Sequence, residues 1–268
     1  VLSLFDGISA GQCALTKAGI KYKEYYAYEI DQWAIKCTLD NFPKTKTMGN
    51  VTNVFSNKKE MGKIDLLIGG PECQSYSVAG KMDAVDLWQI ELFKECIDTF
   101  KPKWFLMENV GSKKSIVESI DSIMEVNHVV IDSKYFSAQN RFRRYWTNIP
   151  ILPYKDKGIT LSDLSSDLPI CFSSSGRKGG RIERRMSDNT KAHTMTATGY
   201  SRRAFSGYIT KELTIRGFSR SELEQLQTFP IGYTKGMTDN QAKKALGNSW
   251  TVDAIAHIFS SIKNEKLR

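Results

Sequence analysis

A chain of 268 residues with 41% hydrophobic and 25% charged side chains has the composition of a folded globular protein, long enough for one large domain or a large domain with a small one. No apolar run approaches the ~20 residues that span a bilayer, the opening Val1-Leu2-Ser3-Leu4-Phe5 is too short and lacks the basic flank of a secretion signal, and five cysteines without a C-x-x-C pair fit neither a disulfide framework nor a zinc site. The expectation is a protein with no membrane span, no metal and free thiols in a reducing compartment, while a net charge of +9 fits either a polyanionic partner or a solubility feature.

In chain order, Val1–Phe5 reads as a buried strand, Gly11–Ala18 as a helix, Tyr25–Tyr28 as a second strand and Asp31–Asn41 as a second helix with Asp31 as its N-cap. Ile64–Ile68 reads as a strand ending in Gly69-Gly70, Leu87–Phe100 as a helix and Trp104–Met107 as a strand ending in Glu108-Asn109. Such alternation predicts an α/β, Rossmann-like domain: a parallel sheet with helices on both faces, binding ligands beyond the carboxyl ends of its strands. After Pro150 the texture turns to Ser, Gly, Lys and Arg. His193–Ala197 reads as a strand, and Ser219–Thr228 as a helix opened by a Ser219/Glu222 capping box. Helices over Asp239–Ala245 and Val252–Ile262 close the chain. The expected division is a large domain over 1–149, completed by helices within 240–268, and a small loop-rich region over 150–239.

The chemistry-bearing residues gather at predicted strand ends. Phe5-Asp6-Gly7-Ile8-Ser9-Ala10-Gly11 is a glycine-bearing turn from strand to helix, and Glu29 ends the next strand about twenty residues later. Glycine lets a backbone approach a ligand closely, and an acid at that place accepts from both hydroxyls of a ribose. The spacing is not that of the dinucleotide G-x-G-x-x-G. Asn50, followed by Val51, is placed either to meet an adenine edge or simply to cap a turn. Gly69-Gly70-Pro71-Glu72-Cys73-Gln74-Ser75-Tyr76-Ser77 puts Cys73 on a polar loop beyond a strand, a place for a nucleophile rather than for a buried structural thiol. Glu108 supplies a carboxyl group at the next strand end. In Gln139-Asn140-Arg141-Phe142-Arg143-Arg144, an extended backbone sets Arg141 and Arg143 on one side, where two guanidinium groups would grip a base or phosphate. Gly247-Asn248-Ser249-Trp250 reads as a tight turn with an aromatic face. Arg177, Lys178, Arg181, Arg184, Arg185, Lys191, Arg202 and Arg203, among glycines and hydroxyl residues, form a phosphate-binding composition.

Taken in this order, these segments resemble the cytosine-C5 DNA methyltransferase family over nearly the whole chain. The motifs that carry the likeness are Phe5–Gly11, Glu72-Cys73-Gln74, Glu108-Asn109-Val110, Gln139–Arg143, Glu222–Pro230 and Gly247–Ser249. Phe5–Ile8 and Ser137-Ala138 look similar to animal de novo methyltransferases, Gln74 and Asn248 to bacterial and phage enzymes. The resemblance implies methyl transfer from S-adenosylmethionine, with S-adenosylhomocysteine as product, to C5 of a flipped cytosine in duplex DNA. It implies Cys73 as the nucleophile on C6, Glu108 as the acid at N3, and Arg143 with Arg141 at the base. Phe5, Asp6, Gly7, Ile8, Glu29, Ile30, Asn50, Val51, Gly70, Leu87, Asn248, Ser249 and Trp250 are the cofactor residues it implies. The DNA-binding residues are Gln74, Ser75, Ser77 and Lys81 on a loop expected to close over the base, with Arg177, Lys178, Arg181, Arg184, Arg185, Arg202 and Arg203. A monomer in the cytoplasm of a bacterial or phage-infected cell, bound to DNA, is expected; a cognate restriction nuclease stays open as a partner.

One position departs from the family pattern. Proline precedes the nucleophile in the family, and here Glu72 does. The loop loses a fixed φ, and a carboxylate beside Cys73 opposes the thiolate. Two rival readings remain open at this stage: a catalytically silent DNA-recognition protein that binds the cofactor, and the same chemistry on transfer RNA.

Overall fold

The computed structural model describes residues 1–71, 87–110, 113–174, 182–185, 190–197, 204–263 and 267. The chain folds as two compact units. The first comprises Val1–Ile131, Phe142–Leu152 and Ala256–Arg268, the second Asp132–Arg141 and Pro153–Ile255. In this division the motif segment up to Arg141 and most of the helical C-terminal region group with the second unit. The physical reason is a set of buried hydrogen bonds. The Arg141 guanidinium donates to the carbonyls of Met195, Gly247 and Ser249, and the Gln227 amide to that of Leu246.

In the first unit, strands β1 (Leu2–Leu4), β2 (Tyr26–Tyr28), β3 (Lys46–Gly49), β4 (Leu66–Gly69), β5 (Trp104–Asn109), β6 (Val129–Asp132) and β7 (Phe142–Thr147) form a seven-stranded sheet in the order β3-β2-β1-β4-β5-β7-β6. The first five pair in parallel, and β7 runs antiparallel to β5. The expected parallel sheet is therefore mixed. Strands β1, β2 and β4 are buried along their whole length, as strands covered on both faces must be. Helices α1 (Ala10–Ala18), α2 (Gln32–Asn41), α3 (Trp88–Phe100) and α4 (Lys114–Met124) connect the strands. Ile116, Val117, Ile120 and Met124 form the inward stripe of α4, at the spacing an amphipathic helix requires. Leu4, Tyr28, Leu67, Ile90, Phe93, Phe105, Met107, Ile120 and Trp146 belong to the core of this unit. The Asp31 carboxylate accepts from the amides of Trp33 and Ala34, so α2 starts where its N-cap was expected.

In the second unit, β8 (Leu168–Ser174), β9 (Ile182–Arg185), β10 (Ala204–Ile209) and β11 (Ile215–Arg216) make an antiparallel sheet in the order β11-β10-β8-β9. Helix α5 (Arg220–Leu226) has the expected capping box between Ser219 and Glu222. The expected strand at His193–Ala197 is not one. Its neighbour Ala192 makes a single bridge to Gln139, and the backbone of Met195 is spent on side chains, donating to Gln139 Oε1 and accepting from Arg141. Helix α6 (Asp239–Asn248) runs through Asn248, so the turn expected there is the end of a helix with Ser249 as its C-cap. Helix α7 spans Val252–Phe259, with Val252–Ile255 in the second unit and Ala256–Phe259 in the first. Among the described residues, no helix is long and apolar enough to cross a membrane.

Candidate active site

Sheet register places the first unit's motif residues side by side. Leu4 lies opposite both Tyr28 and Gly69, and Gly69 opposite Met107. Residues that follow these positions, namely Phe5–Gly7, Glu29, Gly70 and Glu108, therefore leave four adjacent strands at one edge. With ~4.8 Å between neighbouring strands, the row is about 14 Å long, the scale of a nucleoside with an amino-acid tail.

The turn after β1 has an unusual backbone. Phe5, Gly7 and Ser9 all have positive φ, at 57°, 59° and 59°. For a glycine this is free, but for Phe5 and Ser9 it costs roughly 1–2 kcal/mol each, so the surroundings must enforce it. Glu29 is one enforcer: its Oε2 accepts the Gly7 amide at 2.8 Å, while Oε1 accepts those of Ile30 and Asp31 at 2.8 and 2.9 Å. Among the described residues, and apart from its two chain neighbours, no atom lies within 4 Å of where a Gly7 side chain would begin, which leaves room for a ligand over the turn. Beside it, Ile30 is 67% exposed, an apolar surface next to a carboxylate. Leu87 and Phe5 are partly buried against the core, and Val51 is buried. Asn50 Oδ1 accepts from the amide and hydroxyl of Thr52, so the capping reading of its carbonyl holds.

Asp6 is expected among the cofactor residues. Its carboxyl turns inward, where Oδ1 accepts hydroxyl groups from Ser3 at 2.6 Å and Tyr25 at 2.7 Å. Burial pushes its pKa up to about 6, against the hydroxyl donors, which pull the other way. Ser3 and Tyr25 escaped the sequence reading, because nothing in a strand pattern says that two of its hydroxyls meet beneath a turn.

Glu108 is the penultimate residue of β5 and buried, and Arg143 Nε stands 2.9 Å from its Oε1. The antiparallel register explains the meeting: Tyr145 faces Glu108, and Arg143 is two residues before Tyr145 on the same side of β7. Asn109 donates through Nδ2 to the carbonyl of Pro71 at 3.1 Å, tying this strand end to the segment that leads to Cys73. Arg144 donates to the carbonyl of Val110. Arg141, expected beside Arg143 as a second grip on the base, belongs to the second unit. It is 2% exposed, and its terminal nitrogens serve the carbonyls of Met195, Gly247 and Ser249 at 2.6, 3.0 and 2.8 Å. Cys73, Glu72, Gln74, Ser75, Ser77 and Lys81 lie outside the described residues.

In the second unit, Asn248, Ser249 and Trp250 sit at the end of α6, and the Ser249 carbonyl is one that Arg141 holds. Arg216 joins Asp167 and Glu222 through its guanidinium, which fixes β11 to the start of α5. Arg184 and Arg185 fall on β9, while Arg177, Lys178, Arg181, Arg202 and Arg203 lie outside the described residues. Lys191 instead donates to the carbonyls of Lys134 and Ser137.

Comparison with known proteins adds an independent line. The profile of a family described as C-5 cytosine-specific DNA methylase matches residues 1–149 and 113–264. The orphan methyltransferase M.Rho11sI of Bacillus phage rho11s is 36% identical over 163 residues, covering 54% of this chain and 32% of that protein. The type II methyltransferase M.HindV of Haemophilus influenzae is 27% identical over 299 residues, covering 98% of this chain and 96% of that protein. Matches to the phage relatives span about a third of their length. Among solved structures, a variant of DNMT2 from Spodoptera frugiperda is similar with a TM-score of 0.66 at 18% identity, covering 97% of this chain and 98% of that one. A putative DNA modification methyltransferase encoded within an Escherichia coli prophage gives 0.63 at 18%, with 98% of each chain covered. At such identity the structural likeness speaks for the fold.

Proposed function

Because the chain belongs to the C-5 cytosine-specific DNA methylase family, we propose that it transfers a methyl group from S-adenosylmethionine to C5 of a cytosine flipped out of duplex DNA, with Cys73 as nucleophile. The observation that carries this reading is the paired Glu108 and Arg143, with Asn109 tying the same strand end to Pro71, two residues before Cys73.

The cofactor residues fit the group. Glu29, with its carboxylate oriented by three amides, keeps lone-pair capacity for ribose hydroxyls. Ile30 and Val51 would flank the adenine, the space over Gly7 admits the amino-acid tail, and Gly70 and Leu87 complete the wall. Asn248, Ser249 and Trp250 are proposed as further cofactor residues on the motif likeness alone. The bound group supplies an electrophilic methyl.

The chain's own residues do the rest. Unmodified cytosine resists attack at C6, so Glu108 donates a proton or strong hydrogen bond to N3 while the Cys73 thiolate adds to C6. Arg143 holds Glu108 and lies within reach of the base oxygen. C5 takes the methyl, a base removes the C5 proton, and the C6–sulfur bond breaks to restore the thiolate. Flipping is required because C6 is shielded in a stacked duplex. Residues 150–239 are proposed to read the DNA, with their basic positions on phosphates. Bisulfite sequencing of duplex DNA treated with the protein and S-adenosylmethionine tests the reading. Sequence-specific protection of cytosines, lost in Cys73→Ala, is expected; no protection at any site would overturn it, and trapping on 5-fluorocytosine DNA checks the adduct directly.

A further inference from the structure

The polar groups beneath the first turn form a connected set. Ser3 from β1 and Tyr25 from the segment before β2 both donate to Asp6 Oδ1. The Asp6 amide donates to Tyr28, and its carbonyl accepts from Ser9. Gln12, 2% exposed, donates to the hydroxyls of Ser9 and Thr45 and accepts from Tyr22. Asp6 Oδ2 is enclosed and has no hydrogen-bond partner among the described residues. The Tyr25 hydroxyl passes so near α1 that a side chain on Gly11 would come within 2.8 Å of it, so the phenol has a slot rather than a choice of positions.

We propose that Tyr25 and Ser3 are positioning residues for the cofactor: acting through the Asp6 carboxylate, they lock Phe5–Ser9 in its alternating left-handed path and so set affinity for the methyl donor. This rests on the cofactor reading above. Two features make Asp6 more than a structural peg. It precedes Gly7, whose amide is held by Glu29, so the carboxylate anchors the residue next to the open space. The groups that bear on its charge come from every element around it: Ser3, Ser9, Tyr25 and Glu29, with Tyr22 a more distant neighbour. Hydroxyl donors stabilise the ionised carboxylate, and deleting one makes it easier to protonate. The methyl donor is a cation at its sulfonium, so an ionised Asp6 favours its binding and a neutral one does not.

The test is titration calorimetry of S-adenosylmethionine and S-adenosylhomocysteine on the full chain, parent against Tyr25→Phe and Ser3→Ala, between pH 5 and 8. Both variants are expected to bind roughly tenfold more weakly at pH 7, to raise KM for the methyl donor with kcat unchanged, and to move the pH midpoint of binding upward. Asp6→Asn is expected to abolish that pH dependence. Variants that bind as the parent does at every pH, or that lose melting temperature without moving the midpoint, would overturn the inference while leaving the cofactor reading intact. A parent chain that binds neither compound would overturn both.

Discussion

Arg141 and Arg143 stand two residues apart in one motif, yet they serve different partners. Arg141 holds three carbonyls from separate segments. A lysine has one point-like ammonium in place of a fork, so Arg141→Lys is expected to lower unfolding free energy by about 3 kcal/mol or more, read from urea denaturation. Arg143→Lys keeps a cation near Glu108 but loses the guanidinium whose Nε stands 2.9 Å from Oε1, and should leave the urea midpoint nearly unmoved while cutting kcat at least tenfold. Their spacing singled out both arginines in the sequence, but which carbonyls a guanidinium meets depends on chain segments as far as a hundred residues away. Asp6 teaches the same lesson with a pH signature. Its pKa is raised from 3.8 to about 6 in the folded chain, so folding favours the neutral acid. The stabilising contribution is complete below about pH 4 and lost as pH rises through 6. Asp6→Asn should therefore be the more stable protein at pH 7.5, by about 2–3 kcal/mol, with the gain vanishing near pH 4. Thermal unfolding across that range decides it, and a loss of stability at pH 7.5 would contradict the sign. For Glu72 the sequence speaks alone: Glu72→Pro, which removes a charge next to Cys73 and stiffens the loop, is expected to raise methyl transfer several-fold in single-turnover assays.

Elements were legible where one short-range signal governs them. Helices α2 and α5 follow from Asp31 and the Ser219/Glu222 box, and β4 and β5 from apolar runs, β4 ending at Gly69 and β5 running two residues past Met107 through Glu108 and Asn109. What stayed hidden was pairing. Nothing local in Phe142–Thr147 says that β7 inserts antiparallel beside β5, yet this pairing alone brings Arg143 to Glu108. The reading of His193–Ala197 as a strand and Gly247–Trp250 as a turn failed for a related reason: both segments are shaped by side chains that reach in from elsewhere, Gln139 and Arg141. Gly247 tests how tightly that region is built. A side-chain carbon there would lie 2.3 Å from the Thr196 carbonyl oxygen and 2.6 Å from the Ala197 nitrogen, both backbone atoms that cannot rotate away. Gly247→Ala, a favourable change in an ordinary helix, is here expected to cost about 1–3 kcal/mol, measured as a drop in melting temperature.

At the scale of the whole molecule, the charge excess of +9 has two readings, a solubility feature or a footprint on DNA, and they differ in a measurable slope. Carboxylates take up many of the described cations: Lys36, Lys46, Lys94, Lys114, Arg216 and Arg220 all lie in ion pairs. Such pairs are near neutral as units and contribute little to a long-range field. The run Arg177–Arg203 is different in sequence, since its basic residues outnumber Glu183 and Asp188 several-fold. If it lies on phosphates, binding to duplex DNA releases condensed cations, and the logarithm of the binding constant falls with the logarithm of salt by about 0.9 per phosphate contacted. Replacing Arg184, Arg185, Arg202 and Arg203 together by alanine should then reduce that slope by about 3 to 4 and weaken matched and mismatched duplexes alike, because phosphate contacts carry no base identity. Methyl transfer at saturating DNA should survive, since none of the four is placed on the reacting base. A fluorescence-anisotropy series from 50 to about 300 mM salt reads the slope. An unchanged slope would assign the excess charge to solubility and move the DNA footprint to another face of the protein.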